Sequence, residues 1–281
     1  MRAIVCKFSI LFSLTGFLIG CNTDVKRISE NNIQFDSLFV EKTYPFLDAE
    51  TNPKCSLQIN FVYPANYSNK EILNQLRRQF ISAFFEDFYA GMAPDEAAEQ
   101  YTENFIRTCQ EAEKNFKVEQ EQHDMEIDEM WYVNEESMQN TIVFNSNDLL
   151  SFVVAKAYDF GGAHGGHHYV NRVLDLKTGR HITEEVIFED DYQGDLTKII
   201  IDAIALSNNV EVAELENIGF FSIDEIYPNN NFFADETGIT YTYNEYEIAA
   251  YVVGPVTVQL PYDKIRHLLR RESPVSEIAF R

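Results

Sequence analysis

Residues 141–180 read TIVFNSNDLLSFVVAKAYDFGGAHGGHHYVNRVLDLKTGR, and this stretch decides the fold class. Apolar and polar residues alternate along three runs, 141–144, 149–158 and 169–176, with the period of half-buried strands. Turn-forming residues follow each of the first and third runs, and a similar run at 127–133 with a turn at 134–136 comes before them. The pattern predicts an antiparallel meander.

The segment before the meander predicts two antiparallel helices that pack on a sheet. Ser68 and Glu71 have the spacing of a capping box, in which each side chain satisfies a free backbone N–H. Gly91 is placed to end this first helix, and Pro94 suits the first turn of a second one. The apolar ridge of the first helix consists of Ile72, Leu76, Phe80, Phe84 and Phe88.

The remaining elements place the chain in the α+β class. Strands are predicted at 35–46 and 55–63, where Pro64 ends the second one, and later elements are a helix at 196–207, strands at 238–243 and 256–260, and a closing helix at 262–270. Strands and helices come in blocks and do not alternate, which favours an α+β fold with antiparallel sheets over a doubly wound one.

The N-terminus has the features of a secretory leader. Arg2 and Lys7 precede an apolar run at 10–19, and a glycine then stands directly before Cys21, which resembles the lipobox of bacterial lipoproteins. The alternative is a signal-anchor helix, but the apolar run is shorter than the ~20 residues that span a bilayer. We expect a signal peptide at 1–20, lipidation of Cys21, a polar tether at 21–34 and a lipid-anchored place in the bacterial cell envelope.

The chain is strongly acidic. Its 22 Lys and Arg residues face 45 Asp and Glu residues, for a net charge of −23. Phosphate backbones would be repelled, so a nucleic-acid partner is excluded and a cationic partner fits better. The excess is greatest at 86–136, where a solvated helix face is the simplest explanation.

Two cysteines remain after the leader and the lipidated residue are set aside. Cys55 and Cys109 form either a disulfide, as an oxidising compartment allows, or a pair of buried thiols.

The segment 159–168, DFGGAHGGHH, carries the most unusual local chemistry. His164, His167 and His168 are candidate metal ligands, and the spacing of the first and last matches the histidine pair of polysaccharide deacetylases. Four glycines argue against a helix, and adjacent histidines on a strand face opposite ways, so a tight turn with a packing role is the alternative. No nucleophile elbow, zinc-protease motif, P-loop or dinucleotide fingerprint is present, so we assign no catalytic residue and expect no cofactor.

Four segments resemble domain of unknown function 3298: YDFGGAHG at 158–165, LDLKTGR at 174–180, FFADETGI at 232–239, and 246–262, which contains YEIAAY and LPY. The same domain forms the C-terminal extracytoplasmic part of RsiV-type anti-sigma factors. The preceding part more loosely resembles domain of unknown function 4163. The resemblance therefore implies an N-terminal α+β domain at 35–147 and an RsiV-like domain at 148–281.

The resemblance also implies binding, because the RsiV-type domain captures lysozyme, which is cationic. Candidate binding residues in the matching segments are Asp159, Gly161, Gly162, His164, Gly165, Tyr246 and Tyr251. No anti-sigma segment is recognisable, so signalling through a sigma factor is not implied. The sequence predicts an envelope binding protein for a cationic protein such as lysozyme or for a cell-wall glycan. The alternatives are a metal- or carboxylate-dependent hydrolase or deacetylase of wall polysaccharide, and a structural envelope lipoprotein.

Overall fold

The computed structural model describes residues 30–48, 54–122 and 129–281. The predicted leader, Cys21 and most of the tether lie outside these residues. Within them, no helix combines the length and the apolar character that a membrane crossing requires. The strands are β1 Gln34–Pro45, β2 Lys54–Asn66, β3 Asn134–Ser146, β4 Leu149–Asp159, β5 Gly166–Asp175, β6 Arg180–His181, β7 Phe232–Ala234, β8 Gly238–Tyr243 and β9 Val256–Pro261. The helices are α1 Lys70–Phe85, α2 Pro94–Gln122, α3 Glu184–Ile187, α4 Gln193–Ser207, α5 Tyr262–Ile265 and α6 Ser276–Ala279.

A six-stranded sheet in the order β1-β2-β3-β4-β5-β6 forms the centre of the molecule. The α+β class and the antiparallel sheets are confirmed, but β2 and β3 pair in parallel, and the helix pair is the crossover between them. The predicted strand at 127–133 is wrong in its described part, since Glu129–Tyr132 forms a 3-10 turn. The predicted turn at 134–136 is also wrong, because these residues begin β3.

A buried asparagine closes the parallel ladder between β2 and β3. The ladder runs from the pair Cys55 and Asn134 to the pair Asn60 and Gln139. Beyond it, the Asn140 side chain accepts a 2.8 Å hydrogen bond from the backbone N–H of Val62 and donates a 2.8 Å bond to the carbonyl of the same residue. One amide therefore satisfies both backbone groups at the point where the strands diverge.

The helix hairpin covers one face of the sheet. The Phe80 ring stacks on Phe152 of β4 with centroids 4.0 Å apart, and both side chains are fully buried. The N-cap of α1 is Asn69, whose side chain accepts from two backbone N–H groups, and not the predicted Ser68. The helix ends three residues before Phe88, which is 73% exposed and does not continue the apolar ridge.

A C-terminal unit covers part of the opposite face. It consists of the antiparallel sheet β7-β8-β9 with α4 and the short helices. The Ser151 hydroxyl of β4 donates to the carbonyl of Ala234 in β7 at 2.6 Å, and Val173 of β5 belongs to the same apolar core. The predicted domain boundary between 147 and 148 falls in the β3–β4 turn, so both predicted domains contribute strands to one sheet.

Side-chain amides of the C-terminal unit close the free edge of β5. Asn244 accepts from the backbone N–H of Tyr169 at 2.7 Å, and Asn231 accepts from the N–H of Asn171 at 2.7 Å. Asn231 also donates to the carbonyl of Tyr169 at 3.0 Å. These amides replace a neighbouring strand and prevent edge pairing along this part of β5.

Cys55 of β2 and Cys109 of α2 lie side by side as buried free thiols. A hydrogen bond between the two sulfur atoms lowers the pKa of Cys55 and raises that of Cys109, and burial adds to the second shift.

We predict that replacing Asn140 with alanine lowers the free energy of unfolding by about 2 kcal/mol, because the half-buried backbone N–H and C=O of Val62 both lose their partner. Urea unfolding followed by circular dichroism measures the change. Asn60→Ala is the matched control, since Asn60 is exposed on β2. Equal losses in the two variants would contradict this role for Asn140.

We also predict that Cys55 and Cys109 form a disulfide when the chain folds in an oxidising compartment, where a disulfide-bearing oxidant takes up the two electrons and two protons. The bond would close a loop of about 55 residues and stabilise the fold by about 4 kcal/mol. Thiol titration in denaturant counts the free cysteines, and thermal melts with and without reductant measure the stabilisation. A C55A/C109A variant with the same response to reductant would contradict the prediction.

Candidate binding groove

An open groove crosses the face of the sheet that neither the helices nor the C-terminal unit cover. Register pairs place Glu41, Gln58, Ser137, Ala157 and His167 in one row across β1 to β5. Residues two positions along each strand form a parallel row, since side chains on alternate positions share a face. The two rows line a groove of about 560 Å³.

The floor of the groove is polar, and its charged groups are mostly acidic. Glu41 and Glu135 are exposed at its two rows, and Asp159 lies at the end of β4 beside them. The Ser137 hydroxyl donates to the Gln58 side chain at 3.3 Å, so adjacent strands also present hydroxyl and amide groups. Such a floor can accept hydrogen bonds from cationic or hydroxyl-bearing groups.

The glycine-rich turn after β4 forms one wall of the groove. Asp159 accepts a 3.0 Å hydrogen bond from the backbone N–H of Gly161, and both Gly161 and Gly162 have positive φ. Gly165 approaches the preceding strand so closely that an added Cβ would lie 2.7 Å from the carbonyl oxygen of Tyr158. The turn is therefore held against the end of β4.

His164 anchors this turn to the C-terminal unit. Its ring stacks on Tyr251 with centroids 3.7 Å apart, and its Nε2 lies 3.2 Å from the Tyr246 hydroxyl. The Tyr251 hydroxyl donates to the carbonyl of Gly165 at 2.9 Å. The structure thus brings together the candidate binding residues of the turn and the two tyrosines, with Tyr251 and Gly165 on the groove wall.

The three clustered histidines have different surroundings. His167 Nδ1 lies 3.0 Å from a carboxylate oxygen of Glu245, whose other oxygen accepts the backbone N–H of His167. His168 is the next residue of β5 and faces the other side of the sheet. Across the three described stretches of the chain, no group of three His, Cys, Asp or Glu side chains is placed to hold a metal ion.

Buried charges lie beneath the groove, on the helix side of the sheet. The Tyr101 hydroxyl of α2 donates its one hydrogen to the Glu136 carboxylate and lies 2.8 and 2.9 Å from the two oxygens. Burial raises the pKa of Glu136, while the Tyr101 bond and the charge of Lys156 act in the opposite direction. This inward carboxylate fixes which face of β3 points outward, and therefore places Glu135 and Ser137 in the groove.

The sequence interpretation missed the groove floor and one exposed aromatic residue beside the glycine-rich turn. Trp131 is 64% exposed and packs near Gly162, where an added Cβ would lie 3.8 Å from its ring. Alternating exposure along β3 leaves Glu135, Ser137 and Gln139 outward, a period-two signal that the sequence shows. No local pattern in the sequence shows that β3 pairs in parallel with β2, so the groove could not be predicted from the sequence.

The fold and site define an α+β protein with a polar groove on the open part of a central sheet. Residues 185–263 match the sequence model of the family described as Protein of unknown function (DUF3298). The sequence-based resemblance to this family is thereby confirmed for the C-terminal unit.

Two solved structures share the fold. A DUF3298 family member from Bacteroides fragilis is 28% identical, with a TM-score of 0.81, and the alignment covers 89% of this chain and 98% of that one. A DUF3298 family protein from Pseudomonas aeruginosa is 14% identical, with a TM-score of 0.61 over 86% of this chain and 96% of that one. No curated protein matches the chain at a significant level.

We predict that Gly165→Ala destabilises the protein by about 1–3 kcal/mol, because the new methyl group would clash with the backbone of Tyr158. Thermal unfolding measures this change. Gly91→Ala is the matched control, since nothing lies within 4 Å of an added Cβ there. A Gly165→Ala protein as stable as the control would mean that the turn is not packed against β4.

Proposed function

We propose that this protein is a lipid-anchored cell-envelope binding protein whose groove seats a cationic protein of the lysozyme type. The observation that carries the proposal is the open acidic groove with its wall of glycine turn and stacked aromatic side chains. Resemblance to the RsiV-type domain supports the same partner class, and the net charge of −23 would steer a cationic protein toward the molecule.

The charges of the groove favour a cationic occupant. Glu41, Glu135 and Asp159 line it, and Lys42 is the one Lys or Arg among its lining residues. The carboxylates of Glu41 and Glu135 are at exposed positions and accept no hydrogen bond from the described residues. They are free to pair with Lys or Arg groups of a partner, which lowers the dissociation rate when those pairs are desolvated.

Exposed aromatic residues lie on and around the glycine-rich turn and suit protein docking. Phe160 is 53% exposed and stacks on Tyr158 with centroids 5.0 Å apart, while Tyr246 is 55% exposed beside His164. Trp131 adds a further exposed ring next to Gly162. Trp and Tyr are enriched among the residues that dominate binding energy, and rigid backbone turns lower the entropy cost of presenting them.

The lipid anchor is the second part of the proposal. Cys21, as the first mature residue, would carry acyl chains, and the polar residues after it would separate the membrane from β1. Two or more acyl chains on one residue are sufficient for stable membrane attachment. A tethered body with an outward groove can then intercept soluble cationic proteins in the envelope.

We predict that the chain from residue 22 onward binds hen-type lysozyme at low ionic strength, and that high salt weakens the binding because charge pairs are screened. Isothermal titration calorimetry measures the affinity at both salt concentrations. The double variant Glu41→Gln and Glu135→Gln is expected to weaken binding by about tenfold, a loss of about 1.4 kcal/mol.

The matched control is Glu99→Gln with Glu103→Gln, two exposed acids of α2 on the other side of the sheet. This control changes the net charge by the same amount and is expected to bind like the parent protein. Equal weakening by both pairs would indicate steering by net charge without use of the groove. No binding at either salt concentration, together with binding of soluble peptidoglycan fragments, would replace the cationic protein with a glycan.

A further inference from the structure

A second cleft lies beside β5, away from the groove floor, and it differs in charge from the rest of the molecule. Its volume is about 380 Å³, and it lies between the edge of the central sheet and the turn at 229–231. Three of its lining side chains are basic, namely His168, Arg172 and His181. Burial lowers the pKa of both histidines, so Arg172 is the one positively charged group among the lining residues near pH 7.

Arg172 is the central feature of this cleft. Its guanidinium is half-buried, and its Nη1 donates one hydrogen bond, of 2.9 Å, to the carbonyl of Asn171. No carboxylate of the described residues lies within ion-pair distance of it, although an arginine carries five N–H donors. Burial lowers the pKa of Arg172 and the charge of Asp87 raises it, so the group stays charged.

His181 supplies a second unsatisfied group in the same cleft. Its Nε2 is buried and has no hydrogen-bond partner. Burial, together with the charge of Arg172, lowers the pKa of His181 to about 4, so the ring is neutral near pH 7. A neutral imidazole has one N–H, which an anion in the cleft could accept.

The remaining lining groups leave room for an anion. Glu247 is the one carboxylate of the cleft, and its two oxygens already accept hydrogen bonds from the Asn229 side chain, at 2.6 Å, and from the backbone N–H of Asn244, at 2.8 Å. It therefore lies bound to the surrounding loop and does not reach the guanidinium as an ion pair. A half-buried charge with no carboxylate at ion-pair distance is costly, and a ligand that supplies one would be favoured.

We propose that this cleft binds a compact anion of the carboxylate or phosphate type, held by the guanidinium of Arg172 and by Nε2 of His181. Arginine recognises both groups through two parallel N–H···O bonds. This site is separate from the groove, and its existence does not depend on the proposed function.

The test titrates the full chain with sodium phosphate and, in a second arm, with sodium acetate at constant ionic strength. The imidazole proton signals of His181 are followed by NMR, and calorimetry gives the affinity. We expect saturable binding in at least one arm with a shift of the His181 signals, and the arm that saturates identifies phosphate or carboxylate chemistry.

Arg172→Met is expected to weaken this binding by about tenfold or more, while Arg78→Met, a change at an exposed arginine of α1, leaves it unchanged. Arg172→Lys keeps the charge but loses the two-bond geometry and is expected to bind with intermediate affinity. This variant still tests the proposal if the methionine variant does not fold. No saturation in either arm, or equal affinity of the parent and both Arg172 variants, would overturn the proposal.

Discussion

The parallel pairing of β2 with β3 is the constraint on which the rest of the structure depends. It joins an N-terminal hairpin to the strands of the C-terminal half, so one continuous sheet carries both. Parallel neighbours need a crossover connection, and the helix pair α1 and α2 supplies it and buries one face of the sheet. The Asn140 amide ends the ladder by hydrogen bonding to the backbone N–H and C=O of Val62. The strands can therefore diverge without leaving these two groups unsatisfied.

The groove is a consequence of this arrangement. The helices occupy one face, and the C-terminal unit covers β4, β5 and the end of β3 on the other, where Ser151, Val173 and Phe144 contact it. The outward residues of β1, β2 and the first half of β3 are left open beside the edge of that unit. The glycine-rich turn connects the open part of the sheet to the C-terminal unit. Gly165 packs on the end of β4, and His164 stacks on Tyr251 of the C-terminal unit.

Local signals explain what could be predicted from the sequence. Strands β4, β5, β8 and β9 and helix α4 have clear periodicity and turn residues at their ends, and they lie within a few residues of the predicted bounds. The start of β3 resembles a turn because Asn134 and two glutamates follow one another. Glu136 is nevertheless buried, since Tyr101 satisfies its carboxylate from α2, 35 residues earlier in the chain. Such a long-range contact leaves no local pattern.

The residues of the candidate site also divide into those that the sequence predicted and those that only the long-range pairing of strands reveals. His164, Tyr246 and Tyr251 were found because they belong to segments that resemble a known domain, and the structure brings them together. Glu41 and Glu135 were missed, since only the β1–β2–β3 pairing places them on one surface. The eight acids of α2 lie on the opposite side of the sheet. A helix packed on a sheet is about 10 Å thick, and charges are screened over about 8 Å at physiological salt. The acids of α2 are therefore largely screened from a partner in the groove, and the contact energy there has to come from the fewer carboxylates on the groove floor.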